Sequence, residues 1–258
     1  MHKCILVMHI KRLLALCLLL LCAQTYAKDR VQIVEENAPA VVAVNVLRSD
    51  GSVFTGTGFV ITSNGIIATS LHVLQKALLL NITFNTGVVS GQAVPFAVDE
   101  KTDLALLKIA AWNLPAVTLG NSDSVLPGQE ITVIGNPRRL QNTVSSGLIS
   151  QVRKQADGIL WHQISAPISP SSSGSPVFNE QGEVISVAFA SVSGEENQNL
   201  NFAIPSNYVM RLLQDSGYSH FIAMPTEEPP SKLSLWQRFV EHIKLSWKSL
   251  YRLFHHNR

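Results

Sequence analysis

Cysteine is almost missing from this chain of 258 residues: there are three, Cys4, Cys17 and Cys22, all within the first 27 positions. Beyond them no disulfide can form, so the apolar core alone has to hold the fold, which a chain of this size can supply. Clusters of His and Cys with metal-ligand spacing are also lacking. His162 and His220 invite pairing, but neither sits in an HExxH context, so each is expected as a surface or partly satisfied imidazole and no metal is expected. No Walker or dinucleotide-binding motif occurs, and no cofactor is expected. Charged residues make up only 15% of the chain, and the body, 28–231, has neither a basic stripe nor a nucleic-acid-binding motif, so nucleic acid is not an expected partner. The strongest apolar run, 13–21, is about half the ~20 residues that a membrane-spanning helix needs.

That run follows Lys11-Arg12 and leads to Thr25-Tyr26-Ala27, a small-residue cleavage site. Residues 1–27 are therefore expected to be a signal peptide, cleaved after Ala27. An exported, cysteine-free remainder suits a periplasmic protein better than a disulfide-rich secreted one.

The formal net charge of +2 hides an asymmetry. Residues 232–258 hold six basic residues and one acidic one, while 28–231 hold 11 basic and 17 acidic. The acidic stretch ends in a Pro-rich linker, 223–231, containing Pro225, Pro229 and Pro230. Past it, Trp236, Phe239, Val240, Ile243, Trp247, Leu250, Tyr251 and Phe254 recur at helical spacing, with Arg238, Glu241, Lys248 and Arg252 opposite. Residues 232–258 are thus expected to form a basic amphipathic helix. It would dock on the acidic body, lie on an anionic membrane surface, or contact a protein partner or second copy; its Trp and Phe load favours membrane or partner.

Strand signals dominate the body. Short β runs are expected at 41–47, 53–61, 66–69, 105–109, 131–134, 143–152, 159–164, 175–178, 184–190 and 201–204, punctuated by Gly, Asn, Asp or Pro. Such spacing predicts a sandwich or barrels. A short helix is expected over 206–215, with Ser206 as N-cap and Val209, Leu212 and Leu213 on its buried face.

Within this pattern lies a loop rich in small residues, Ser169-Pro170-Ser171-Ser172-Ser173-Gly174-Ser175-Pro176. It can present a serine at the lip of a barrel and let a substrate carbonyl approach backbone N–H groups. A serine hydroxyl is a poor nucleophile and needs an adjacent base, itself oriented by a carboxylate. His72 follows a Gly turn and the apolar run Ile66-Ile67-Ala68, and Asp103 precedes the run Leu104-Ala105-Leu106-Leu107. The order His72, Asp103, Ser173 is that of chymotrypsin-type enzymes.

Four blocks resemble the trypsin-like proteases of the HtrA (Deg) group. They are Gly56-Thr57-Gly58-Phe59 with the His72 segment, Thr102-Asp103-Leu104-Ala105-Leu106-Leu107-Lys108, Leu119-Gly120-Asn121-Ser122-Asp123-Ser124 continuing to Ile134-Gly135-Asn136-Pro137, and the Ser173 loop through to Asn201-Phe202-Ala203-Ile204-Pro205-Ser206. The resemblance covers roughly residues 31–215. It implies an all-β fold of two six-stranded antiparallel β-barrels over 28–222, with the C-terminal amphipathic α-helix appended. The first barrel would carry His72 and Asp103, and the second Ser173. It further implies a serine endopeptidase acting on unfolded or exposed polypeptide segments, with the backbone N–H groups of Ser171 and Ser173 holding the oxyanion. Proteins of this group are often trimers built through amino-terminal segments, which makes 28–40 the candidate contact for a homo-oligomer. They also tend to carry PDZ domains after the protease; the 43 residues after Asp215 are too few for one.

Two residues depart from the family pattern. Ser171 stands where glycine is usual; a serine there either fits without strain or biases the loop away from the form that serves the oxyanion. That substitution keeps a second reading open, a weakly active or inactive protease fold used for binding. Ser175 also replaces a commoner glycine, with little expected effect. By alignment to the family, the specificity pocket falls at Pro167 and Ile168, facing Val187 and Ala188. With no carboxylate there, a buried P1 Lys or Arg would go unpaired, so cleavage after small or medium apolar residues is expected. Arg138-Arg139 and Glu195-Glu196 read as solvated loop pairs.

Overall fold

In the computed structural model, residues 27–136, 143–169, 171–194 and 197–218 are described. The signal segment up to residue 26, Arg138-Arg139, Glu195-Glu196, His220, the Pro-rich linker 223–231 and the amphipathic segment 232–258 lie outside the described residues.

The chain enters through helix α1 (Arg30–Asn37) and then builds two sheets in sequence. Strands β1 (Val41–Arg48), β2 (Val53–Thr62), β3 (Ile66–Ser70), β4 (Ala77–Thr83), β5 (Val89–Gln92), β6 (Val94–Asp99) and β7 (Leu104–Lys108) form the first, in the order β5-β4-β1-β2-β3-β7-β6. The second sheet comprises β8 (Thr118–Leu119), β9 (Glu130–Gly135), β10 (Thr143–Lys154), β11 (Leu160–Ile164), β12 (Ser175–Phe178), β13 (Glu183–Gly194) and β14 (Asn197–Pro205). Its order is β12-β9-β10-β11-β14-β13-β8, and β12 also pairs β13, so six antiparallel strands close into a ring. Strand β8 adds outside that ring, parallel to β13. The expected all-β architecture of two barrels is what the chain adopts, with one short strand more in each sheet than the six expected.

Residue type accounts for which strands were legible. In β3 every residue is buried, and Ile66-Ile67-Ala68 packs on both faces, as a strand covered on both sides must. Strands β4 to β6 lack such a signature. Leu78 and Leu79 in β4 are exposed, which blurs the alternation; β5 is four residues with a glycine inside; β6 carries Pro95. Proline is tolerated there because β6 is an edge strand with a bulge between Pro95 and Ala97.

Two helices brace the barrels. Helix α1, in the segment expected to serve oligomer contacts, lays Ile33 into the main core, and it and the residues just before it reach the second barrel through one ion pair and one backbone bond. Arg30 pairs with Glu130 at the start of β9, and the Lys28 N–H donates to the Glu180 carbonyl at 2.7 Å. The second helix, α2 (Ser206–Asp215), buries Val209 and Leu213 and half-buries Leu212. Ser206 is its first residue and not its cap: the hydroxyl donates to the Gly120 carbonyl at 2.8 Å. Capping comes from another segment, since the Asn207 N–H donates to Ser122 Oγ at 3.0 Å while Asn207 Oδ1 accepts from the Ser122 N–H at 3.2 Å.

His162 is not a surface imidazole. Its place on β11 turns it into the second barrel, where it is 1% exposed and its Nδ1 meets Ser186 Oγ at 2.6 Å. Burial pushes its pKa from an ordinary 6.5 down to about 4. The folded state therefore keeps this ring neutral at pH values where the unfolded chain binds a proton. Its contribution to stability is complete above pH 6.5 and is lost as pH falls toward 4, by about 3 kcal/mol. Thermal melts between pH 7 and pH 4 should show this decline, and His162→Gln, which cannot titrate, should flatten it. A decline of equal size in the variant would assign the loss to other groups.

Candidate active site

His72 lies in the single 3-10 turn, Leu71–Leu74, that follows β3, and Asp103 closes the turn between β6 and β7. Because β3 and β7 are paired from Ile66↔Lys108 to Ser70↔Leu104, the two segments leave the sheet side by side. Three bonds then fix them. The Leu71 N–H donates to the Asp103 carbonyl at 2.8 Å, the His72 N–H donates to Asp103 Oδ1 at 2.9 Å, and Asp103 Oδ2 lies 2.5 Å from His72 Nδ1. With Nδ1–H directed at a carboxylate, Nε2 is left as the basic nitrogen. Asp103 adopts φ +55°, a left-handed conformation that aspartate accepts better than most residues. Asp99 shapes the approach by accepting from the Lys101 N–H and the Thr102 hydroxyl.

Ser173 comes from the second barrel, in the loop before β12. A β-turn closed by Ser172 N–H to Ser169 carbonyl, at 3.0 Å, precedes it. Ser171, the third residue of that turn, has φ +75°. Positive φ at this position belongs to the type II turn, which favours glycine there. A serine in this region costs about 1–2 kcal/mol relative to an ordinary backbone conformation. Gly174 follows at φ +87°, where a Cβ would lie 2.1 Å from the Thr57 carbonyl and 2.5 Å from Thr69 Oγ1. Only glycine lets the loop approach the first barrel so closely. The Gly174 N–H donates to the Ala188 carbonyl at 2.7 Å.

The Ser173 hydroxyl donates to the Phe189 carbonyl on β13 at 3.4 Å, and among the described residues no hydrogen bond joins it to His72. Nor do the N–H groups of Ser171 and Ser173 have partners among the described residues. Both are therefore available to an oxygen atom from outside the chain. Thr57, which sequence reasoning did not single out, holds the loop from β2: its N–H donates to the Ser173 carbonyl at 2.9 Å and its hydroxyl to the Ser171 carbonyl at 2.9 Å. A signal was present in the Gly56-Thr57-Gly58 block. A Cβ at Gly56 would lie 2.6 Å from Val73, and one at Gly58 2.9 Å from Ile67, so the glycines mark close packing around Thr57.

A model of the trypsin-like peptidase domain matches residues 56–187, a stretch that contains His72, Asp103 and Ser173. The chain belongs to the trypsin-like peptidase family. It is 34% identical over 197 residues to Serine protease HTRA1B of Danio rerio, covering 71% of this chain and 40% of that protein. To a Probable periplasmic serine endoprotease DegP-like of Chlamydia muridarum it is 39% identical over 163 residues, covering 61% of this chain and 33% of the relative. Among solved structures it resembles the HtrA-type protease AlgW with tripeptide, with a TM-score of 0.67, 30% identity and coverage of 72% of this chain and 63% of that one. The serine endoprotease from Yersinia pestis gives a TM-score of 0.65 at 29% identity, over 76% and 69% of the two chains. The chain spans about 40% or less of the length of these curated relatives.

Within this trypsin-like frame the pocket residues separate. Pro167 is exposed, its carbonyl accepting from Ser145 Oγ at 3.0 Å, and Ile168 is half-buried beside Ala188 in the second core. Val187 packs in the first core instead, because neighbours along a strand point to opposite faces. Ser175 is fully buried, and among the described residues its hydroxyl has no partner. It presses on Gly135, where a Cβ would lie 2.4 Å from Ser175 Oγ. An unsatisfied buried hydroxyl costs about 1–3 kcal/mol, so Ser175→Ala should raise stability by about 1 kcal/mol. Chemical denaturation of the two proteins measures this; a less stable alanine variant would mean that the hydroxyl has a partner.

Proposed function

We propose that this chain is a serine endopeptidase. The observation that carries the reading is the three-bond fixation of Leu71-His72 by Asp103, beside a loop that carries Ser173 with its own N–H and that of Ser171 unengaged among the described residues. In the reaction, Ser173 Oγ leaves the Phe189 carbonyl, rotates to His72 Nε2 and attacks the scissile carbonyl carbon. His72 takes the hydroxyl proton and returns it to the leaving amine. Asp103 holds the imidazole in its Nδ1–H form and stabilises the imidazolium, and water then releases the acyl group by the same route in reverse. The N–H groups of Ser171 and Ser173 receive the developing oxyanion.

The substrates are unfolded or exposed polypeptide segments. Pro167, Ile168 and Ala188 offer no charge to a P1 side chain, which favours small or medium apolar residues there. Relatives bearing the names HTRA1B and DegP-like support this reading, and the periplasmic relative supports an envelope location for a chain whose first 27 residues read as a signal peptide. The 232–258 segment adds contact with a membrane surface or partner, and 28–40 with a second copy.

Labelling by a fluorophosphonate tests the reading. Wild type should be modified at Ser173, while Ser173→Ala should not react and His72→Ala should react at least about 100-fold more slowly. Absence of Ser173-dependent labelling would leave the second reading, a binding role. The strained Ser171 and the turned-away hydroxyl of Ser173 favour it. Matched peptides differing only at P1 test specificity: Ala, Val or Leu should outrun Lys and Arg, and a preference for the basic residues would refute the assigned pocket.

A further inference from the structure

We propose that Thr57 is a positioning residue for the reaction, a clamp on the first barrel that holds the nucleophile loop of the second in its φ > 0 form. The proposal rests on the reading of Ser173 as nucleophile. Thr57 is fully buried and every polar atom it has is used. Its N–H donates to the Ser173 carbonyl at 2.9 Å, its hydroxyl donates to the Ser171 carbonyl at 2.9 Å, the same oxygen accepts from the Asn136 N–H at 3.0 Å, and its carbonyl accepts from Thr69 Oγ1 at 2.6 Å. Four segments of the chain therefore meet on one side chain and its peptide groups: β2, β3, the end of β9 and the loop.

The two bonds to the loop bracket Ser172 and fix the peptides that follow Ser171 and Ser173. A serine at φ +75° returns toward an ordinary φ unless something outside the turn opposes it. Relaxing the turn rotates the peptide N-terminal to Ser171 and swings away its N–H. With the Ser171 carbonyl held on the Thr57 hydroxyl, the peptide C-terminal to Ser171 is fixed, and any relaxation that turns it would take a buried donor from that carbonyl. Residue 171 as serine and residue 57 as a hydroxyl-bearing side chain are thus coupled: with glycine at 171 the clamp would matter little.

The test compares wild type, Thr57→Val, which keeps the shape and removes the hydroxyl, and Thr57→Ser, which keeps the hydroxyl, each also in a Ser171→Gly background. Two readouts are needed: steady-state peptide hydrolysis, and amide hydrogen exchange at Ser172 and Gly174, whose N–H groups are bonded to the Ser169 and Ala188 carbonyls. Thr57→Val should lower kcat about tenfold or more while KM stays within about twofold, as for loss of a group that acts in the transition state. It should also accelerate exchange at Ser172 and Gly174. Thr57→Ser should restore most of kcat, and in the Ser171→Gly background the effect of Thr57→Val should shrink to about threefold or less. A folded Thr57→Val protein with unchanged kcat, or an equal loss in both backgrounds, would overturn the clamp. If Thr57→Val does not fold, Thr57→Ser decides: activity within about threefold of wild type supports the clamp and a tenfold loss refutes it. If wild type hydrolyses no peptide, the endopeptidase reading fails, and exchange judges the clamp alone: faster at Ser172 and Gly174 in Thr57→Val supports it, unchanged refutes it.

Discussion

Two hydrogen bonds from Thr57 to the carbonyls of Ser171 and Ser173 join the barrels at the point where their chemistry has to meet. The main core runs through both barrels, and neither alone holds all three residues: His72 and Asp103 belong to the first and Ser173 to the second. The contact tolerates no side chain at residue 174, where a Cβ would strike the Thr57 carbonyl. Close packing and backbone bonding therefore fix the same few ångströms twice, and the geometry of the site follows from where β2 meets the loop.

The two halves of the site differ in how settled they are. Asp103 binds the His72 segment through its carbonyl and both carboxylate oxygens, an arrangement with no slack. The serine half carries strain: Ser171 at φ +75°, a buried hydroxyl at Ser175 pressed on Gly135, and a Ser173 hydroxyl bonded to the Phe189 carbonyl rather than to His72. A device with one rigid half and one costly half is suited to having its activity set by the costly half. The departures from glycine at 171 and 175 that the resemblance implies both fall in the serine half.

What could be read in the sequence follows from which residues carry a local signature. His72 and Asp103 stood next to wholly apolar runs that become buried strands, and Ser173 stood in a run of small residues, so each announced itself. Ser171 was legible only in part: the sequence marked it as a departure from glycine but left open whether serine fits there without strain, and the φ of +75° decides that. Strands β4 to β6 were not legible, since exposed Leu78 and Leu79 and an edge proline erase the alternation that marks a half-buried strand. Ser206 looked like a cap and proved to be the first helical residue, with the cap supplied from Ser122, some 80 residues away; no local pattern encodes a partner at that distance. For the same reason the sequence could not choose between a surface and a partly satisfied His162, and Thr57 was passed over. Their roles depend on Ser186 and on the nucleophile loop, which only the closed barrels bring to them.

The central claim is that the loop as it stands, with Ser171 at positive φ and clamped by Thr57, is the form that stabilises the oxyanion. Its most direct measurement is the crystal structure of the chain after reaction with a fluorophosphonate, whose phosphoryl oxygen occupies the oxyanion position. The adduct should lie on Ser173, with that oxygen within hydrogen-bond distance of both the Ser171 and Ser173 N–H groups and the Thr57 hydroxyl still on the Ser171 carbonyl. An adduct in which Ser171 has turned to negative φ, or whose oxygen meets only one N–H, would contradict the account.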